Sequence, residues 1–173
     1  VNIDDDDILI NYKFENFLNT LETANKDIKA ILSPMLILDV KFYNLKFKRK
    51  KKLFLKYDNS TMSYFEFKEK FGDVDTLIFF RPSKNDKLFF PEIEKENFTA
   101  ESLLWLKLFP KKEILICNEF LVYSQYLSDG LTKSILKKRT QNAKSAIAIY
   151  KSFLDYKKFT ISKFLIKTLI NYY

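Results

Sequence analysis

An α/β fold, strands flanked by helices and finished by a helical C-terminus, is what this sequence predicts, and three observations carry the prediction. Short apolar runs that suit strands alternate with segments whose apolar residues recur at helical spacing. Apolar residues make up 47% of the 173 and aromatics 17%, enough to bury a sizeable core and too rich for a disordered chain. From residue 131 onward the pattern is helical and strongly basic.

The elements follow in order. An apolar, strand-like start is expected to end at the run Asp4 to Asp7, which would put the carboxylates at the C-terminal edge of a sheet, where open α/β folds bind ligands. KFENFLNTLETANK reads as an amphipathic helix with Phe14, Phe17, Leu18 and Leu21 on one face. IKAILS, MLILDVKFY and KKLFLKY read as strands, with the intervening KFKRKKK as a solvated hairpin tip. SYFEFKEKFG is a short helix closed by Gly72, and DTLIFFR is a buried strand closed by Pro82. NFTAESLLWLKLF predicts a helix N-capped by Thr99, with Phe98, Leu104, Trp105 and Leu108 on its packed face. EILICNE and FLVYSQY are further strands, and SDG is a turn. Ala143, Ala146, Ile147, Tyr150 and Leu154 then mark one helical face, and Ile161, Phe164, Leu165, Leu169 and Tyr172 a second. No repeat and no Gly/Ser-rich linker interrupts the chain, so residues 1–130 read as the α/β part and residues 131–173 as basic helices packing on it.

Composition restricts the chemistry. The chain has no His and a single cysteine, Cys117, which excludes an internal disulfide framework, cysteine-based zinc sites and His-containing catalytic triads. Catalysis here would use carboxylates, lysines, hydroxyls or a hard metal. No run approaches the ~18 to 20 apolar residues of a membrane span, and no signal peptide opens the chain, so a cytoplasmic location is expected. Residues 131–173 carry a net charge of +9 and residues 1–130 a net charge of −1, so the basicity is a C-terminal property. Such a block attracts anionic lipid surfaces or nucleic acid, or forms a solvated helical face. The start at Val1, without Met and directly in a strand-like segment, suggests a truncated N-terminus.

Four adjacent carboxylates repel one another, and burying even one unpaired is costly, so DDDD calls for solvent or a cation. In extended backbone Asp4 and Asp6 share one face and Asp5 and Asp7 the other. One pair suits Mg²⁺ or Mn²⁺, hard ions that take carboxylate oxygens and keep positions open for phosphates. An acidic turn is the alternative.

Three stretches, in this order, resemble one group of proteins. NIDDDDIL resembles the strand and Asp-x-Asp motif of bacterial family 2 glycosyltransferases of the GT-A fold. EIEKENFTAESLLWLKLF is similar to that family's later segment, in which an acidic pair at a helix start leads to Leu-Trp. NEFLVYSQYLSDGLTKS is similar to the strand and loop that follow, and the NYY ending also recurs there. The resemblance spans the chain but only the C-terminal portion of a family member. It implies a GT-A-like (Rossmann-like) mixed sheet whose N-terminal nucleotide-binding strands are missing here. The chain alone would then lack its nucleoside pocket and be inactive.

The resemblance also implies roles. Asp4 and Asp6, with Asp7 close by, would hold Mg²⁺ or Mn²⁺ on the diphosphate of a nucleotide-sugar donor. The family is inverting, and its base lies in an acidic pair that reads Glu101-Ser102 here, so Glu101 is the first candidate and Glu96 the second. For Glu101 an ordinary acidic residue in a first helical turn is the alternative. Asp129, Gly130 and Thr132 would form a loop near the donor or acceptor, or else a plain turn. Trp105 reads as core packing rather than a sugar platform. The acceptor would be a glycan or a lipid-linked glycan, presented at an anionic membrane surface on which the C-terminal helices lie. Two other readings compete: a basic membrane-surface or nucleic-acid binding module without catalysis, and a Mg²⁺-dependent phosphoryl hydrolase, which needs more carboxylate ligands downstream than the sequence supplies.

Overall fold

The computed structural model describes residues 7–9, 11–37, 46–72, 74–82, 92–124 and 137–156, together with Ile166 and Ile170. They form two compact units that interleave along the chain: Val1–Met62 with Asp73–Arg81 and Lys112–Ser128, and Ser63–Gly72 with Pro82–Lys111 and Asp129–Tyr173.

The first unit carries all the described strands. β1 (Asp7–Leu9) precedes helix α1 (Asn11–Thr23), which is followed by β2 (Ala30–Pro34) and β3 (Leu36–Ile37). Helix α2 (Lys46–Tyr57) leads to β4 (Thr61–Met62), and β5 (Thr76–Phe80), β6 (Ile114–Ile116) and β7 (Val122–Ser124) complete the set. A four-stranded mixed sheet runs in the order β4-β6-β2-β5, and a smaller one in the order β1-β7-β3. β2 pairs parallel with β6, Ala30 opposite Ile114, and antiparallel with β5, Ala30 opposite Phe80. This is the mixed α/β sheet expected.

β2 is central because its sequence tolerates burial on both faces: Ala30, Ile31, Leu32 and Ser33 have no exposed surface. The one hydroxyl there is satisfied, Ser33 Oγ donating to the Glu119 carbonyl at 2.5 Å. Phe17, Ile31, Leu77, Phe79, Leu121 and Val122 form a core cluster in this unit, and each fully buried side chain of this size contributes about 1.5–3 kcal/mol. α1 joins it through Phe14 and Phe17, whose ring centroids lie 5.6 and 4.6 Å from that of Phe79. Leu18, expected on the same face, is exposed, because it lies about 100° around the helix from Phe17.

Three expectations for this unit change. First, the described strand before α1 begins at Asp7, the last of the four aspartates, and includes Ile8 and Leu9; the apolar start and Asp4 to Asp6 lie outside the described residues. Second, KFKRKKK and KKLFLKY are not a hairpin tip and a strand but one helix, α2. Lys, Arg and Leu are strong helix formers, and the spacing buries Phe54 completely while Lys51, Lys52 and Lys56 face water. The helix is followed by Asn59 at φ 58°, a left-handed position that asparagine tolerates, and the Asn59 amide donates to the Ile116 carbonyl at 2.9 Å. Third, of the strand expected over MLILDVKFY, Leu36–Ile37 is strand, Met35 before it is not, and residues 38–43 lie outside the described residues.

The second unit contains the helices α3 (Tyr64–Phe71), α4 (Ser102–Leu108) and α5 (Ala143–Leu154). α3 starts with a capping box. The Glu66 amide donates to the Ser63 hydroxyl at 3.2 Å, and the Ser63 amide donates back to the Glu66 carboxylate at 2.9 Å. It ends, as expected, at Gly72, whose φ of 66° and ψ of −145° suit only glycine. Phe65, Leu103, Ile149 and Phe153 form the core here, and the Phe65 ring stacks on Tyr156 with centroids 4.2 Å apart. The Tyr156 hydroxyl donates to Pro110 O at 3.1 Å and lies 3.2 Å from the Ser63 hydroxyl.

The face of α5 differs from expectation. Ser145, Ile149 and Phe153 are buried, while Ile147 is exposed. The apolar residues of AKSAIAIYKSFL nearly encircle the helix, so periodicity alone selects the wrong stripe. Ile166 and Ile170, which the predicted C-terminal face left out, are exposed; the residues predicted to form that face lie outside the described residues. Among the described residues no helix is long and apolar enough to cross a membrane.

Candidate functional site

Glu101 occupies the start of a helix, as the Glu-Ser-Leu-Leu-Trp motif requires. It is the N-cap residue of α4, and its carbonyl accepts from the Leu104 and Trp105 amides at 2.9 and 3.1 Å. Its side chain is exposed and makes no capping hydrogen bond. The carboxylate is thus held at a helix N-terminus by its backbone alone and is left exposed. It precedes the first turn rather than lying within it. The helix starts later than Thr99, which is not the cap; the Thr99 hydroxyl lies 3.5 Å from that of Ser145. Leu103, Leu104 and Trp105 are buried, and the Trp105 ring stacks on Phe109 at 5.9 Å, the packing role expected of it.

Glu96 does something else. Its carboxylate accepts from the Lys144 amide at 2.6 Å, from the Ser145 amide at 2.7 Å and from the Ser145 hydroxyl. These amides belong to the first turn of α5, so a residue distant in sequence caps that helix and opposes its positive end. The residue beside α5 that looks like its cap, Asn142, is used differently. Its Oδ1 accepts from the Asn97 and Phe98 amides at 3.0 and 3.2 Å, and its Nδ2 donates to Lys138 O at 2.8 Å. Asn142 and Ser145 are each only 2% exposed, while Glu96 is half-buried. The chain reaches Glu96 through Lys95 at φ 67°, a strained position for a side-chain-bearing residue.

Desolvation pushes the Glu96 carboxyl up, but hydrogen bonds from Ser145 and Lys144, aided by the Lys144 charge, outweigh it, so its pKa lies below the ordinary value. A carboxylate with both oxygens engaged and a depressed pKa is a poor base near neutrality. A depressed pKa stabilises the fold above the unfolded value, and that contribution is lost as pH falls through the folded value. The capping contribution is therefore expected to be complete at neutral pH and to disappear in the acid range below about 4.3. Urea unfolding followed across that range should show a component that Glu96→Gln removes; an identical pH profile in the variant would refute the cap.

The other predicted site residues divide by location. Asp7 is placed in β1, in the strand-bearing unit; Glu96 and Glu101 belong to the helical unit. Asp4, Asp6, Asp129, Gly130 and Thr132 lie outside the described residues. Among the described residues no group of three or more His, Cys, Asp or Glu side chains is arranged to hold a metal ion. The donor chemistry of the Asp4, Asp6 and Asp7 set, all carboxylate oxygen, fits a hard divalent cation. Cys117 is half-buried, and burial pushes its thiol up, with only partial relief from the Glu119 amide, so it is no activated nucleophile.

No family model, curated protein or solved structure matches this chain. The Glu96–Asn142–Ser145 clamp was missed in the sequence reading. Its signal, Asn-x-x-Ser ahead of an apolar helix, was visible in NAKS, but it points to a local cap rather than to a partner far along the chain.

Proposed function

We propose that the chain is the acceptor-side portion of a metal-dependent, inverting glycosyltransferase that moves a sugar from a nucleotide-sugar to a glycan or lipid-linked acceptor. The observation that carries the reading is the coincidence of motif and structure at Glu101: the acidic residue that precedes Leu-Leu-Trp stands exposed at a helix start. Support also comes from the order of DDDD, AESLLW and SDGLTK, and from the mixed α/β sheet. The finer GT-A-like arrangement is part of this proposal.

In this reading Glu101 takes the proton from the acceptor hydroxyl as its oxygen attacks the anomeric carbon. Asp4 and Asp6, with Asp7, would hold Mg²⁺ or Mn²⁺, which when bound supplies positive charge against the nucleotide leaving group. Asp129, Gly130 and Thr132 would line the donor or acceptor side. The basic C-terminal residues would rest on the anionic inner face of the membrane, where a lipid-linked acceptor is presented.

The test is calorimetry of UDP and GDP with and without Mn²⁺, on the wild-type protein and on an Asp4→Asn, Asp6→Asn double variant. Mn²⁺-dependent binding that the double variant loses is expected. Absence of any Mn²⁺-dependent binding in the wild-type protein would return the aspartates to an acidic turn and favour a basic binding module instead.

A further inference from the structure

We infer that α2 is a docking helix for an anionic phospholipid surface. The inference is independent of the transferase reading, since it rests on a helix that no part of that reading uses. In the twelve residues KFKRKKKLFLKY, seven are Lys or Arg and none is acidic, the densest positive charge in the chain. As a hairpin tip such a run would scatter its charge into solvent in all directions. As a helix it has a fixed orientation, because Phe54 is completely buried and anchors one side.

The outward side is a basic face with an apolar point in it. Lys52 and Lys56 are one turn apart, and Leu55 lies beside them and one turn from Lys51. All three lysines are exposed, and so is Leu55, at 52%. Lysine ammonium groups at this spacing are drawn to lipid phosphates, while their alkyl stems and the leucine lie against the acyl boundary. Charge complementarity is the reason to commit to a lipid surface, and Leu55 is the reason to prefer it to nucleic acid. Single-stranded nucleic acid is gripped by aromatic rings presented among the cations, and of the aromatic side chains described in α2, Phe54 is buried and Tyr57 is half-buried under the Lys56 ammonium, 5.3 Å from its ring centre.

The experiment is co-sedimentation of the whole chain with vesicles of phosphatidylcholine alone and of phosphatidylcholine with phosphatidylglycerol, at low and high salt. Binding only to the anionic vesicles, weakened by salt, is expected. Lys51→Gln, Lys52→Gln and Lys56→Gln together should reduce the partition coefficient by about 100-fold, at roughly fivefold per lysine. Leu55→Ser should reduce it less and leave the salt dependence intact. Glutamine preserves helix propensity, and unchanged circular dichroism verifies the fold of each variant. An unchanged partition coefficient in the triple variant would overturn the assignment, as would tighter binding to an RNA oligonucleotide through the same lysines.

Discussion

Glu101→Gln is expected to lower turnover by about 10²- to 10⁴-fold while leaving donor binding intact. The amide keeps the size of the side chain but cannot take a proton from an acceptor hydroxyl. The structure makes this a clean experiment, because the Glu101 side chain is exposed and makes no capping hydrogen bond, so removing its charge should barely alter folding. Nucleotide release from a nucleotide-sugar is the rate to follow, with Mn²⁺-dependent nucleotide binding measured alongside. Full turnover in the variant would remove Glu101 from the chemistry. It would not promote Glu96, whose oxygens are already occupied by α5 and whose depressed pKa suits a cap.

Phe65→Ala is expected to destabilise the helical unit by about 3–5 kcal/mol. Phe65 is 6% exposed and its ring meets both Tyr156, stacked at 4.2 Å, and Phe153, at 5.8 Å. Truncation would remove these ring contacts and leave a cavity among Leu103, Ile149 and Phe153, which has little means of closing. For a domain whose whole stability is typically about 5–15 kcal/mol, the loss is a large fraction. The chain's single tryptophan, Trp105, lies in the same unit and is buried, so its fluorescence reports the transition during urea unfolding. A midpoint shift matching less than about 1 kcal/mol would show that the Phe65 stack is not central to this core. Phe65→Leu, which retains most of the volume, should cost much less.

The sequence by itself determined the elements whose signals are local. The α3 helix was readable from end to end because its start is a Ser-x-x-Glu capping box and its stop is a glycine at positive φ, all within ten residues. β2, β5 and β6 were readable because each is a short apolar run bounded by polar or turn residues. Trp105 was recognised as core from its spacing, and the position of Glu101 at a helix start followed from the motif around it. α2 was misread because a lysine-rich run with Leu-Phe-Leu at its end satisfies both a hairpin tip with a strand and an amphipathic helix. Only the complete burial of Phe54 opposite exposed lysines separates the two.

Tertiary structure decided whatever depends on partners far apart in the chain. It chose Ser145, Ile149 and Phe153 as the buried face of α5, since the core that meets them comes from Phe65 and Leu103. It turned Glu96 from a candidate base into a helix cap, and it set Asn142 to accept from the Asn97 and Phe98 amides. Hydrogen-bonding capacity is written in the residue type, but the groups that use it are set by which backbone amides folding leaves unpaired nearby.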